Sequence, residues 1–257
     1  LTPGKAHYTC MPNGKGGIVD DLIIYCYEME KYMLVVNAAN IQKDWEWIGK
    51  QNRFGAELEN ASDKMSLIAL QGPESANILQ PFVNQPIESL SPFSFVVSEI
   101  DGIGEVIISA TGYTGAGGFE LYCNNKAASI LWSRLLEFGK PYGLKPAGLA
   151  ARHTLTLEMA YCLSGNDIDD TTSPIEAGLG WIVKLKSKDD FIDRALIEAQ
   201  KHRGTDRVLT GIEMIDRGIP RHGYTLVTPE GEQIGRVTSG TMSPTLKKGI
   251  GMVYLKT

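Results

Sequence analysis

Between residues 66 and 138, β-rich and helical runs follow one another in a single order: strand, helix, strand, strand, strand, helix. This order constrains the fold more than any other feature of the sequence. Strands that follow one another without an intervening helix pair antiparallel, because a parallel crossover needs a dozen or more connecting residues. The order therefore predicts an α+β domain with an antiparallel sheet. Its parts are "SLIALQ" (66–71), a helix opened by Gly72-Pro73 and running to about Gln80, strands at 94–99 and 104–110, "FELYC", and an amphipathic helix over 127–138. Pro in a first helical turn loses no hydrogen bond, since that N–H lacks a partner there anyway.

The flanking segments carry their own patterns. Residues 17–27 and 32–37 are β-rich and joined by Glu28–Lys31, which predicts a hairpin. "AANIQKDWEWIGKQN" follows with helical spacing, Ile41, Trp45 and Ile48 falling on one face, and this first unit closes near Asn60. Lys145-Pro146 opens a longer helix over 147–163, with Leu149, Leu155, Met159 and Leu163 on one face and Arg152 among them. A charged residue on an apolar face is costly unless paired, so Arg152 either buttresses the fold or points into a cleft. After Trp181 the texture becomes all β: "RVLTGIEM", "GYTLVT", "QIGRVTSG" and "GIGMVYL" predict a small barrel or jelly roll, linked by the charged segment Lys184–Arg207.

With 257 residues, 43% of them apolar, the chain can fill one large domain or two to three small ones. A net charge of −5 with interspersed signs and no basic stripe gives no reason to expect nucleic acid. No apolar run reaches the ~18 residues of a membrane span. Cys10, Cys26, Cys123 and Cys162 form no C-x-x-C, so we expect reduced thiols rather than a disulfide scaffold or a zinc site. The chain opens without Met and closes just after an apolar run, which leads us to expect a sequence trimmed at both ends.

Three stretches invite a chemical reading. "NGKGGIVDDLIIYCY" places Asp20 and Asp21 inside a strand pattern. Alternation puts Asp21 on one face with Val19, Ile23 and Tyr25, and Asp20 on the other. The two carboxylates are either solvated at a strand start or, for at least one, held in a site. "TGYTGAGGFE" (Thr111–Glu120) has four glycines but neither P-loop nor dinucleotide spacing. It is either a flexible hairpin loop or a backbone that approaches a planar ligand, with Tyr113 as wall and Glu120 as polar anchor. "SGNDIDDTTSP" (Ser164–Pro174) fails as a calcium loop. Counted from Asp167, Thr172 stands where the glycine belongs and Gly178 where the bidentate Glu belongs, so an Asx-rich turn is expected and no metal.

Taken in order, "GGIVDDLIIY", "VVNAANIQKD", "LIALQGPES", "TGYTGAGGFEL", "PAGLAARHTLTLEMAYCLSGNDIDDTTSPIEAGLGW" and "GRVTSGTMSPTLKKGIGMVYL" resemble the aminomethyltransferase (T-protein) family of the glycine cleavage system along essentially the whole chain. The resemblance implies a three-domain cloverleaf of antiparallel sheets with flanking helices around a central folate site, plus a C-terminal β-barrel or jelly-roll module. The corresponding divisions are 1–60, 61–182 and 183–257. The family's Phe-Asp-Val-Ser-His-Met-Gly string is absent, and Ala116-Gly117 stands where the family often has Glu-Asp.

By the same resemblance, Asp21 falls on the catalytic aspartate, Glu120 on the pterin-side carboxylate and Arg152 on the helix arginine of the site. Val36, Asn37, Tyr113, Trp181 and Tyr25 match pocket positions, and Arg221 an arginine near the active-site mouth. The implied reaction takes the one-carbon unit of an aminomethyl-lipoyl arm on the H-protein, passes it to tetrahydrofolate and releases ammonia. It requires no metal, flavin or nicotinamide. The implied location is the cytoplasm, or the mitochondrial matrix for a eukaryotic parent. Two other activities fit the same residues: a non-catalytic folate-binding module, and a folate-linked demethylase of a methylated amine or sulfonium compound.

Overall fold

The computed structural model describes residues 1–186 and 190–257. The chain divides into two compact units. The first comprises residues 1–7, 24–34 and 45–152; the second comprises residues 8–23, 35–44 and 153–257.

Near the amino terminus β1 (Lys5–Pro12), β2 (Ile18–Glu28) and β3 (Lys31–Val35) form a sheet in the order β1-β2-β3. The hairpin read from the sequence is β2–β3. Its partner β1 was not anticipated: "KAHYTCMP" does alternate polar Lys5, His7 and Thr9 with apolar Ala6, Tyr8 and Cys10, but it has a single β-branched residue and so carries a weak strand signal. Helix α1 (Ile41–Gln51) follows a short 3-10 turn over Ala38–Asn40.

The first unit is built on a four-stranded antiparallel sheet in the order β4-β7-β6-β5, from β4 (Met65–Gln71), β5 (Phe95–Ile100), β6 (Gly104–Ser109) and β7 (Gly118–Asn124). This is the antiparallel α+β arrangement that the order of elements predicts. Short helix α2 (Ser75–Leu79) and α3 (Asn125–Gly139) accompany it. Helix α3 starts where it does because the Asn124 side chain accepts from the Lys126 N–H at 3.0 Å, satisfying one of the first-turn donors. Leu131 and Leu135 of α3 share a core with Leu70, Ile78, Leu79, Val106, Ile108 and Leu121. Burying each such side chain stabilises by roughly 1.5–3 kcal/mol.

Helix α4 (Leu149–Glu158) is shorter than the 147–163 span expected. Ala160 takes a left-handed conformation (φ 54°), and the Tyr161 N–H turns back to the Thr156 carbonyl at 3.2 Å, a Schellman-type stop. Its supposed apolar face is open: Leu149 is 63% and Met159 45% exposed, whereas Thr156 is buried. Arg152 therefore does not interrupt a buried stripe, and the sequence argument built on that stripe falls away.

The second unit carries the sheet β8-β11-β10-β9, from β8 (Arg207–Glu213), β9 (Thr225–Val227), β10 (Gln233–Ser243) and β11 (Lys248–Lys256). All of its pairings are antiparallel. A second core joins Met252 of β11 to Ile18, Cys162, Ile168, Ala177, Leu179 and Ile182. The charged linker contains a helix not foreseen from sequence, α5 (Arg194–Arg203), whose only buried residue is Ile197. The part of that linker at residues 187–189 lies outside the described residues. Among the described residues no helix is long and apolar enough to cross a membrane.

Candidate active site

Asp20 and Asp21 are both removed from water, at 0% and 8% exposure, so neither is a solvated strand-end carboxylate. The approach to them is set by glycine. Gly17 donates its N–H to the Asn13 side-chain oxygen at 3.0 Å and accepts at its carbonyl from the Asn13 N–H at 2.9 Å. Next to it, the Ile18 N–H reaches the Asp169 carbonyl at 3.1 Å. The glycine-rich turn is further pinned by Asp193, whose Oδ2 accepts from the N–H groups of Gly14 and Gly16 at 2.8 and 2.9 Å.

Asp21 is held by two donors. The Tyr8 hydroxyl donates to Oδ2 and the Asn37 amide to Oδ1, each at 2.9 Å. Burial pushes its pKa up, these two hydrogen bonds oppose the rise, and the neighbouring Asp20 charge adds to it. The result is a fixed, poorly hydrated carboxylate of high basicity. The Asn37 amide also donates to Asp20 Oδ1 at 2.9 Å, so one side chain clamps both aspartates. Asp20 accepts further from Asn40 at 2.9 Å and from the Ser164 hydroxyl at 2.6 Å. Burial of Asp20 favours its neutral form, but hydrogen bonds from Asp44, Ser164, Asn37 and Asn40 outweigh it and hold its pKa low. Trp181 stacks on Tyr8 with ring centroids 6.0 Å apart and is 63% exposed. Val36 is half-buried beside Asn37, and Arg221 is exposed.

The first unit presents a second polar cluster. Glu120 lies on the central strand β7, opposite Ser109 of β6 and Ala69 of β4. Its Oε2 accepts from the Thr111 hydroxyl in a short hydrogen bond and from the Tyr122 hydroxyl at 3.5 Å. Oε1 has no partner among the described residues. Burial raises the pKa of Glu120, and the two hydroxyls oppose that rise. Tyr25, fully buried, links the same group, with its hydroxyl 3.2 Å from Thr111 Oγ1 and 3.0 Å from the Tyr122 hydroxyl. The Arg152 guanidinium lies over the Tyr113 ring, 5.4 Å from its centroid, a cation–π contact. Arg152 Nε is buried with no hydrogen-bond partner among the described residues. A buried, unpaired N–H of a permanent cation is a donor waiting for an acceptor.

The glycines of the Thr111–Glu120 loop serve a different purpose from the one the sequence suggested. A Cβ at Gly112 would stand 2.0 Å from the Gln71 side chain, and one at Gly118 would stand 2.4 Å from the Leu70 carbonyl. Gln71 spends its amide on the loop, donating to the carbonyls of Thr111 and Phe119 and accepting from Thr114 at 2.9 Å. The missing side chains let the loop close on β4 and so fix Tyr113 and Glu120. In the Ser164–Pro174 segment Asp167 and Asp169 accept from local turn donors, while Asp170 pairs with Lys43 and Asp167 also accepts from Ser239. Asp167 accepts from the Leu163 N–H at 2.9 Å, and Asp169 from both the N–H and hydroxyl of Thr171 at 2.7 Å. Sequence reading missed Tyr8, Asn40, Ser164 and Asp44 of the aspartate cluster. The string "VVNAANIQKD" contains Asn40 and Asp44, and Ser164 opens "SGNDIDDTTSP", but nothing in either string marked these side chains as partners of the aspartates.

The fold and these clusters define an α+β protein with three antiparallel sheets, a buried pair of aspartates and a half-buried glutamate. Residues 1–187 match the GCVT N-terminal domain, and residues 207–257 match the glycine cleavage T-protein C-terminal barrel domain. The chain belongs to the glycine cleavage T-protein family. It is 59% identical over 256 residues to the aminomethyltransferase of Bacteroides thetaiotaomicron, covering all of this chain and 71% of that protein. Against the aminomethyltransferase of Bacillus licheniformis the identity is 47%, covering all of this chain and 70% of the relative. The crystal structure of glycine cleavage system aminomethyltransferase T from Bartonella henselae superposes with a TM-score of 0.86 at 33% identity, over all of this chain and 69% of that one.

Proposed function

We propose that Asp21 is the catalytic anion of a glycine cleavage aminomethyl transfer, and that Glu120 and Arg152 recognise the pterin of the folate acceptor. The enzyme is a tetrahydrofolate-dependent aminomethyltransferase; its products are 5,10-methylenetetrahydrofolate and ammonia. The observation that carries the assignment of Asp21 is a carboxylate 8% exposed, with both oxygens fixed by Tyr8 and Asn37.

The chemistry calls for such a group. The aminomethyl carbon is an S,N-acetal, and loss of ammonia builds positive charge on it. A preorganised carboxylate in a poorly hydrated setting stabilises that charge without having to reorient when it forms. Asp21, raised in basicity by burial, also suits the acceptance of a proton as the folate N5 becomes bonded to carbon. Glu120 has an oxygen free to accept from the pterin 2-amino and N3–H donors. Arg152 has a donor for the pterin carbonyl. We assign Tyr113 and Tyr25 to the surroundings of Glu120 and Arg152, Val36, Asn37 and Trp181 to those of Asp21, and Arg221 to the mouth on the Asp21 side. The carrier of the aminomethyl group is a lipoylated H-protein. The bacterial relatives support a cytoplasmic location.

The test is folate-dependent release of ammonia from aminomethylated H-protein. Release supports the assignment, whereas folate binding without release indicates a non-catalytic binding module. Release from free methylated amines or sulfonium compounds instead indicates a demethylase. For the pterin contact, Glu120→Ala is expected to weaken tetrahydrofolate binding by roughly ten- to a hundred-fold, the value of a charge-assisted hydrogen bond, and to lower kcat much less. Calorimetric affinity equal to the wild type removes Glu120 from folate recognition.

A further inference from the structure

Asp44 is 1% exposed, and among the described residues no hydrogen-bond donor reaches either of its carboxyl oxygens. An ionised carboxylate so placed would carry the full desolvation cost with nothing to offset it. The group within hydrogen-bonding reach of it is another carboxylate, Asp20. Asp20 in turn already accepts from Asn37, Asn40 and Ser164. Two carboxyl groups can bond to each other only if one carries a proton, and the one that already accepts from several donors is the anion.

We propose that Asp44 is a positioning residue for the aminomethyl transfer: it stays a neutral carboxylic acid, donates to Asp20, and thereby fixes the Asp20–Asn37–Asp21 chain that orients the catalytic carboxylate. This rests on the role assigned to Asp21 above. The links are physical. Asp20 Oδ1 and Asp21 Oδ1 take their hydrogen bonds from the same Asn37 amide, each at 2.9 Å. Any shift of Asp20 therefore rotates the donor that holds Asp21. The charged groups facing Asp44 are Asp20 and Asp21 of β2 and its neighbour Lys43. Lys43 is committed elsewhere, donating to the Val19 carbonyl at 2.7 Å and pairing with Asp170 at 3.2 Å. Tyr8 and Cys10 of β1 stand on the Asp21 side; burial pushes the Cys10 thiol up to about 12, so it adds no charge. Burial, then the hydrogen bond and charge of Asp20, push the pKa of Asp44 up to about 8. Ionised Asp44 would place a third negative charge in the cluster and remove the donor to Asp20.

The experiment compares wild type, Asp44→Asn and Asp44→Leu. Asp44→Leu, which keeps volume but has no donor, is expected to lower kcat about ten- to a hundred-fold, as misplacing a catalytic group does. Asp44→Asn keeps an N–H for Asp20 and is expected to recover most of that loss. Wild-type kcat is expected to fall as pH rises through about 8, and this decline should be missing from Asp44→Asn. Infrared difference spectra, which need no substrate, should show the carbonyl band of a protonated carboxylic acid at pH 7 in wild type and not in Asp44→Asn. The linkage sign gives a further check. The folded chain holds a proton that the unfolded chain releases, so wild type loses stability relative to Asp44→Asn as pH rises from the ordinary carboxylate range to about 8, and no further above it. Superimposable pH profiles of wild type and Asp44→Asn, or no acid carbonyl band, overturn the proposal even if Asp44→Leu fails to fold. Absence of aminomethyl transfer by wild type overturns the reaction assignment and Asp44's part in it, while the infrared band still decides its protonation.

Discussion

Asp21→Asn is expected to cut turnover by about two to four orders of magnitude, equivalent to roughly 3–5 kcal/mol of lost transition-state stabilisation, with tetrahydrofolate affinity largely preserved. The substitution is nearly isosteric, so the backbone of β2 and the contacts of Ile18 and Val19 are retained. It removes the negative charge, and it turns one of the two oxygens that accept from Tyr8 and Asn37 into an amide that cannot. The stability effect runs the other way from the activity effect. Burial raises the pKa of Asp21, so in wild type this group contributes less to stability as pH rises from its unfolded pKa to its higher folded one. Asparagine has no such dependence, and the variant should unfold at a denaturant midpoint close to that of wild type at neutral pH. Single-turnover ammonia release measured alongside folate calorimetry checks the claim. Wild-type turnover in Asp21→Asn would take Asp21 out of the mechanism; loss of folate binding together with turnover would make it a binding group.

The sequence made the hydrogen-bonded frame legible where patterns are short and repetitive. Strands β4 to β7 and β8 to β11 were legible as short apolar runs bounded by turn residues, and the succession of β5, β6 and β7 without an intervening helix implied antiparallel pairing. Elements whose stability comes from context were not legible. In β1 the alternation of Lys5, His7 and Thr9 with Ala6, Tyr8 and Cys10 is present but the strand has one β-branched residue, and α5 is dense in charge with one buried side chain, Ile197. The end of α4 is set by the left-handed Ala160, which periodicity does not register. Of the proposed site, Asp21, Glu120 and Arg152 were reachable through resemblance to a family, but the reason Asp21 is held was not. Alternation placed Asp20 on the face opposite Asp21 and left open what covers it; the side chains of Asn37, Asn40 and Ser164 donate to it. Asp44 was hidden by the same logic. In "IQKDWEWIGK" the amphipathic pattern assigns the interior to Ile41, Trp45 and Ile48, yet the buried residue of α1 is Asp44. A polar residue buried for its hydrogen bond leaves no hydrophobic signature.

Gly17→Ala is expected to destabilise the protein by about 3 kcal/mol or more, beyond the usual range for a glycine-to-alanine change, and to abolish activity in whatever folded fraction remains. Gly17 does not have a positive φ, so strain from a left-handed backbone is not the cause. The cause is space: a Cβ there would stand 1.9 Å from the Asp170 carbonyl oxygen, 2.5 Å from its carbon and 2.6 Å from the Asn13 side-chain nitrogen. Two of these are backbone atoms, which cannot rotate away as a side chain can. Relief requires separating the Gly17–Ile18 backbone from the Asp169–Asp170 turn, which breaks the Ile18 N–H bond to Asp169 and the Asn13 amide bond to the Asp170 carbonyl. Asp20 and Asp21 lie three and four residues further along, in the strand that starts at Ile18, so the displacement reaches the carboxylates directly. Gly14→Ala supplies the contrast. Gly14 has φ +83° but nothing within 4 Å of an added Cβ, so it should cost only about 1–2 kcal/mol of left-handed strain and leave kcat unchanged. Urea midpoints and turnover for the two variants decide the matter. If both lose equal stability, conformational freedom rather than close approach explains the paired glycines ahead of the aspartates.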